Sequence, residues 1–186
     1  MRTLLTATPG QTIGPFFGYA LPFANSSELV PPSLAGSIRL HGVVSDGAGI
    51  PVPDSLIEIW QADPDGVIPS STGSLRRDGV TFTGWGRAST DQAGHYSFNT
   101  VKPGVTEPNS APFFALTVFA RGLLNRLFTR AYLPGGRLGS DRLLASAPLD
   151  RRHTLIAEPD ELGLRFDIRL QGEDETVFLR YPGCLP

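Results

Sequence analysis

Three histidines, His41, His95 and His153, and one carboxylate set in an apolar run, Glu58 of Leu56-Ile57-Glu58-Ile59-Trp60, are the groups from which this sequence could build chemistry. A histidine offers a proton shuttle near neutral pH or an imidazole ligand for a metal. The three lie too far apart for spacing alone to define a site. His95 and Tyr96 are neighbours in what reads as a strand, so their side chains leave on opposite faces and cannot share one metal. Glu58, if buried and charged, needs a cation beside it, and an arginine partner is expected. A structural ion pair and a catalytic carboxylate both stay open for it. The sequence carries no glycine-rich nucleotide loop, no paired Cys/His spacing for zinc and no serine in a glycine-flanked elbow.

The elements that must position these groups read as strands. Ile38, Leu40, Gly42 and Val44 alternate with Arg39, His41 and Ser45. Leu56 to Trp60 reads as a central strand and Phe113 to Arg121 as another. Between them, Gly84 to Gly104 reads as a β-hairpin turning at Thr90-Asp91-Gln92-Ala93-Gly94. Leu127 to Tyr132, His153 to Ala157, Leu164 to Leu170 and Thr176 to Leu179 complete the set. One helix is expected, over Asp141 to Ala145 with Ser140 as N-cap. Seven to nine strands separated by Pro and Gly predict an all-β fold, an antiparallel β-sandwich spanning residues 36–186. Residues 1–35 hold five prolines and no period, and predict an extended N-terminal arm. Phe16, Phe17, Tyr19 and Phe23 crowd that arm and must lie on something, either its own sandwich or a partner chain.

Composition narrows the partners. A formal charge of −2 spread over separated Arg and Asp residues gives no basic stripe for nucleic acid. Fifteen of the sixteen basic residues are Arg, with Lys102 the exception. The single cysteine, Cys184, precludes an internal disulfide, and no run is long and apolar enough to be a membrane helix or signal sequence. A soluble, cytoplasmic protein is expected.

Several segments, taken in order, give a more specific reading: Gln11-Thr12-Ile13-Gly14-Pro15-Phe16, Ile57 to Asp63, Gly86-Arg87, Thr90-Asp91, Gly94 to Phe98, Thr100 to Gly104, Thr129-Arg130-Ala131-Tyr132 and Arg165 to Glu173. Together they resemble the intradiol ring-cleavage dioxygenases, and the last third resembles the α-type chain of the family's two-chain members. The resemblance implies a β-sandwich, and a partner β chain holding a non-haem Fe(III) through two Tyr and two His. It implies O₂-dependent opening of an aromatic diol, protocatechuate, between its hydroxyls. The four ligand positions fall here on Ser74, Thr106, Phe113 and Ala115, so this chain is expected to be inactive alone and to leave iron binding to its partner. Thr12, Gly14 and Pro15 are implied to border the partner's substrate cavity. Arg130 matches an arginine near that cavity. Alternation puts Phe128 and Arg130 on one face, where the guanidinium needs an anion: Glu58, Asp167 or a substrate carboxylate. A free-standing β-sandwich binding module is the alternative reading.

Overall fold

The computed structural model describes residues 16–70, 78, 81–135 and 137–181. Thr12, Gly14, Pro15, Ser74 and Cys184 lie outside the described residues, as do the side chains of Phe16 and Phe17. In chain order the elements are α1 (Phe16–Ala20), β1 (Ser37–Ser45), β2 (Leu56–Trp60), β3 (Trp85–Ser89), β4 (His95–Val101), β5 (Phe113–Phe119), β6 (Leu127–Tyr132), a 3₁₀ turn (Leu138–Ser140), α2 (Arg142–Ser146), a second 3₁₀ turn (Arg152–Leu155), β7 (Glu158–Asp160), β8 (Gly163–Arg165) and β9 (Ile168–Arg169). The strands form two sheets, one ordered β3-β2-β5-β6 and one ordered β4-β1-β8-β7 with β9 also paired to β1. An all-β sandwich is the result.

Period-2 alternation builds the core from both inner faces. Leu40 and Val44 of β1, Phe98 of β4 and Ile168 of β9 come from one sheet; Ile57, Ile59, Phe114, Leu116 and Val118 come from the other, and all are buried. A second, smaller cluster of Ala111, Tyr132, Leu144, Leu155 and Val177 seats α2 and the second 3₁₀ turn on the end of β6.

Several expectations are corrected. The stretch Gly84 to Gly104 is not a hairpin: β3 pairs with β2, and β4 pairs with β1 in the opposite sheet. The Asp91 carboxylate accepts from the Ala93 and His95 amides, and Gly94 adopts φ +74°, so a tight turn does form there. It carries the chain across the sandwich instead of back along its neighbour, because alternation on either side of a turn does not say which strand each half will pair with. The sandwich is also not wholly antiparallel, since β1 runs parallel to β8 and β9. Leu164 to Leu170 breaks into those two short strands at Phe166-Asp167. There the Asp167 carboxylate accepts from the Val43 amide and the Phe166 carbonyl accepts from the Tyr96 hydroxyl, replacing ladder bonds. His153 to Ala157 is largely a 3₁₀ turn, and Thr176 to Leu179 contributes only an isolated bridge between Leu179 and Phe128. The expected helix runs one residue later and Asp141, not Ser140, caps it by accepting from the Leu144 amide. α1 is a second helix, within the stretch expected to be extended.

Residues 23–30 lie on the chain's own sandwich. Asn99 of β4 accepts from the Leu29 amide and donates to Ser27, while Arg87 of β3 donates its amide to Ser26. β3 and β4 are edge strands of their respective sheets. One strap therefore satisfies backbone groups on both exposed edges and buries Leu29 and Val30. Phe23 stacks on Trp85 with ring centroids 6.1 Å apart.

The break between β8 and β9 passes over Gly42, where a side-chain methyl would run into the Phe166 carbonyl. Gly42→Ala is expected to destabilise the fold by about 1–3 kcal/mol, the usual range for overpacking, because the obstacle is backbone. Chemical denaturation checks this; an unchanged midpoint would mean that the β8–β9 segment shifts freely.

Candidate functional site on the outer face of the four-stranded sheet

Because β5 turns Phe114, Leu116 and Val118 inward, it turns Phe113, Ala115 and Thr117 outward. Strand register then decides their neighbours. Trp60 stands across from Trp85 on one side and Ala115 on the other, and Ala115 stands across from Arg130. One step along, Glu58 lies between Arg87 and Thr117, and Thr117 faces Phe128. Phe113 pairs with Tyr132. The outer face thus assembles Trp60, Glu58, Phe113, Ala115, Arg130 and Tyr132 from three strands.

Each charge on this face is held differently. Glu58 meets the expected arginine: Arg87 Nε donates to its Oε1 at 2.6 Å, and the guanidinium also lies over the Trp85 ring. Arg130 does not pair with Glu58 or Asp167, the anions proposed from alternation. Its guanidinium carbon lies 3.8 Å from the centroid of the Phe113 ring, and Nη1 donates to the Tyr132 hydroxyl at 3.3 Å. That hydroxyl donates to Asp141 Oδ1 at 3.0 Å. The Arg130 Nε–H is buried and has no hydrogen-bond acceptor among the described residues. Asp167 is taken instead by a forked pair with Arg165.

Asp141 anchors this arrangement. Its buried carboxylate accepts from the Leu144 amide, the Ala111 amide and the Tyr132 hydroxyl. Burial alone would raise its pKa, but the two amides, the phenol and the Arg130 charge outweigh it and leave the carboxyl below its ordinary value. Burial pushes the Tyr132 phenol up to about 12, against a partial offset from Arg130 and with a further push from Asp141. Tyr132 is therefore a neutral phenol at physiological pH. Sequence reasoning singled out Arg130 and missed Asp141. The signal was an acidic residue directly before a short helix, with Tyr132 two residues beyond Arg130 on the same face.

Ferric iron requires lone pairs from imidazole, phenolate or carboxylate groups. Phe113 and Ala115 have none, Tyr132 is neutral with its proton committed to Asp141, and the Arg130 cation lies over Phe113. These residues do not fit the metal. Thr106 lies in the loop between β4 and β5 and offers only a hydroxyl. Among the described residues no group of three or more His, Cys, Asp or Glu could hold a metal ion. The three histidines each meet an aspartate: His41 with Asp160 at 3.1 Å, His95 with Asp91 at 3.5 Å and His153 with Asp174 at 3.5 Å. His41 and His95, which spacing did not link, line one groove of about 570 Å³ with Arg39, Arg87 and Ser97.

A family model described as dioxygenase matches residues 31–116. The chain is 36% identical over 195 residues to the protocatechuate 3,4-dioxygenase alpha chain of Burkholderia cepacia, covering 95% of this chain and 98% of that one. It is 38% identical over 202 residues to the alpha chain of Pseudomonas putida, covering 96% and 98%. The beta chain of the Burkholderia cepacia enzyme is 34% identical over 164 residues, covering 79% of this chain and 69% of that one. The chain belongs to the intradiol ring-cleavage dioxygenases, a family that uses iron. Within it the chain is an enzyme subunit of the alpha type.

A carboxyl whose folded pKa lies below its unfolded value stabilises the fold fully above that unfolded value, near 3.8, and loses the contribution as pH falls through the folded value. Asp141→Asn is expected to be about 1–3 kcal/mol less stable than the unmodified chain at pH 7, with the gap narrowing below pH 3.8. Urea midpoints measured at pH 7 and in the acid range test this. A gap independent of pH would assign Asp141 a role in shape and not in charge.

Proposed function

We propose that this chain is the non-iron-binding α subunit of a protocatechuate 3,4-dioxygenase, completing the active site of an Fe(III)-binding β chain that cleaves protocatechuate with O₂ to 3-carboxy-cis,cis-muconate. The observation that carries this reading is the outer face of β5. A chain similar to alpha chains along nearly its whole length offers an aromatic ring and a methyl at Phe113 and Ala115, where the iron-bearing pattern needs imidazoles. The similarity to a beta chain supports a two-chain enzyme whose partners share an ancestor and divide the work. A free-standing binding module is disfavoured by that same end-to-end match to enzyme subunits.

In this reading Thr12, Gly14 and Pro15 wall the partner's substrate cavity, and the segment from Gly18 onward is their anchor. Ser89 Oγ donates to the Gly18 carbonyl and Arg87 Nη1 to the Leu21 carbonyl, so residues 18–21 are tied to β3. This chain's residues position and exclude water; none makes or breaks a bond. Arg130 contributes positive charge toward the substrate carboxylate, held in plane by Phe113 and Tyr132. Deletion of residues 1–15 is expected to leave iron content of the complex unchanged while activity per iron falls by about tenfold or more, as misplacement of cavity walls does. Activity per iron equal to that of the intact complex would reduce the arm to packing.

Arg130→Leu separates a structural from a functional arginine. An intact, iron-loaded complex should lose kcat/KM for protocatechuate by about 10- to 100-fold, the worth of a hydrogen bond to a charged group, and much less for catechol, which lacks the carboxylate. Equal losses on both substrates, or failure to assemble, would remove Arg130 from the cavity and leave it a packing residue.

A further inference from the structure

The strap of residues 23–30 closes only part of the gap between the two sheets. It fills one outward rung on each edge strand. Arg87 of β3 gives its amide to the Ser26 carbonyl and accepts from the Ser26 hydroxyl, while Asn99 of β4 gives its amide to Ser27 and accepts from the Leu29 amide. In an antiparallel pair, residues alternate between bonding the neighbouring strand and pointing their backbone groups away from it. Ser89 and Ser97, two residues from Arg87 and Asn99, therefore aim their amides and carbonyls into the same gap. The next rung of β4 is already filled, since the His95 amide and carbonyl are both bonded to Asp91. Among the described residues nothing bonds the backbone of Ser89 or Ser97 on that side.

A groove of about 570 Å³ lies at this empty rung, lined by Ser26 and Ser27 of the strap, Ala88 and Ser89 of β3, and Tyr96 and Ser97 of β4. It continues onto the outer face of β1, where Arg39 and His41 stand across from Asn99 and Ser97. His41 and His95 each meet an aspartate and Arg87 meets Glu58, which leaves Arg39 as a lining cation with no ion pair among the described residues. Glu28, in the same row beyond Asn99, makes none with it. Free backbone donors and acceptors on two strand edges, with an unpaired cation beside them, match an extended chain that carries a carboxylate. The strap itself shows that a backbone fits between these edges.

We infer that this groove docks an extended acidic segment of a protein other than this chain and its β partner, by strand addition. The segment's backbone continues the strap's ladder at Ser97 and Ser89, and a Glu or Asp side chain reaches Arg39. A small anion would engage Arg39 but would leave the two strand edges unused. The groove follows the β3 and β4 edges and the outer face of the β1 sheet, so it does not draw on Phe113, Ala115 or Arg130, to which the role above is tied.

The test uses an acetylated and amidated peptide, Thr-Val-Glu-Val-Thr, titrated into the assembled α–β complex and observed by saturation-transfer NMR, which reads weak binding to a large particle. Saturable binding is expected, and none by the same peptide with methylated backbone nitrogens. Replacing its Glu by Gln should weaken binding about two- to fivefold, the worth of an exposed ion pair, and Arg39→Gln should do the same. Ser97→Pro removes the outward amide while leaving the β1 ladder intact, and should weaken binding about three- to tenfold. Circular dichroism confirms that each variant is folded; Arg39→Gln, on an exposed face, keeps the test decisive should Ser97→Pro not fold. Absence of saturation, equal binding of the methylated or Gln peptide, or unchanged affinity in folded variants would overturn the inference. Binding to the isolated chain but not to the complex would give the edge to the β partner, and tighter binding after deletion of residues 1–15 would give it to this chain's own arm; either result also overturns it. Iron content and turnover play no part in these readouts, so failure here leaves the proposed subunit role standing.

Discussion

The register of β5 between β2 and β6 is the constraint on which the rest of this molecule depends. A strand has a side-chain period of two, so slipping β5 by one residue would expose Phe114, Leu116 and Val118 and bury Phe113, Ala115 and Thr117. The core would lose three apolar side chains, each worth roughly 1.5–3 kcal/mol of burial. That loss fixes the register far more firmly than anything on the outer face could. The outer face is then given: whichever residues occupy positions 113 and 115 must sit beside Trp60 and Arg130, whether or not they can hold a metal.

On that face, charge is managed by two unlike devices. Glu58 and Arg87 neutralise each other directly across β2 and β3, and the arginine spends its remaining capacity on the Leu21 carbonyl and the Trp85 ring. Arg130 is not neutralised directly. A phenol stands between it and Asp141, so the carboxylate's strength goes mainly into the Leu144 and Ala111 amides that tie α2 to the end of β5. The first device pairs the two charges directly; the second leaves the Arg130 guanidinium with no directly bonded carboxylate among the described residues. The difference follows from one side chain, Tyr132, whose ring fills the space in which Asp141 would otherwise meet Arg130.

The sequence made the strands legible wherever alternation was long and regular, as in Ser37–Ser45 and Phe113–Phe119, and it made the arginine partner of Glu58 legible because a lone carboxylate in an apolar strand has few other ways to be stable. Pairing was not legible. The Thr90–Gly94 turn looks the same locally whether it closes a hairpin or crosses between sheets, and only the long-range ladders of β3 to β2 and β4 to β1 decide. His153 to Ala157 has the composition of a strand, yet capping by the Arg152 guanidinium on the Ala145 and Ala147 carbonyls draws that segment against α2 as a 3₁₀ turn. Of the candidate site, Arg130 was visible through its neighbours in sequence. Asp141 was missed despite its place before a short helix, because its partners Ala111, Tyr132 and Leu144 come from three separate segments.

The apolar residues at positions 113 and 115 bear on how the scaffold holds this face without metal donors there. A bound metal contributes folding free energy because its ligands come together only in the folded chain, and a sandwich with a continuous core does not need that contribution. Here the space is used by packing: Phe113 contacts both the Arg130 guanidinium and the Tyr132 ring, whose centroid is 5.7 Å away, and Tyr132 itself belongs to the smaller cluster with α2 and the second 3₁₀ turn. A guanidinium carries fixed positive charge but no vacant orbital, so it can orient an anion and cannot activate oxygen. A sheet face built in this way fits a chain that resembles alpha chains along nearly its whole length and offers no lone pairs at Phe113 and Ala115.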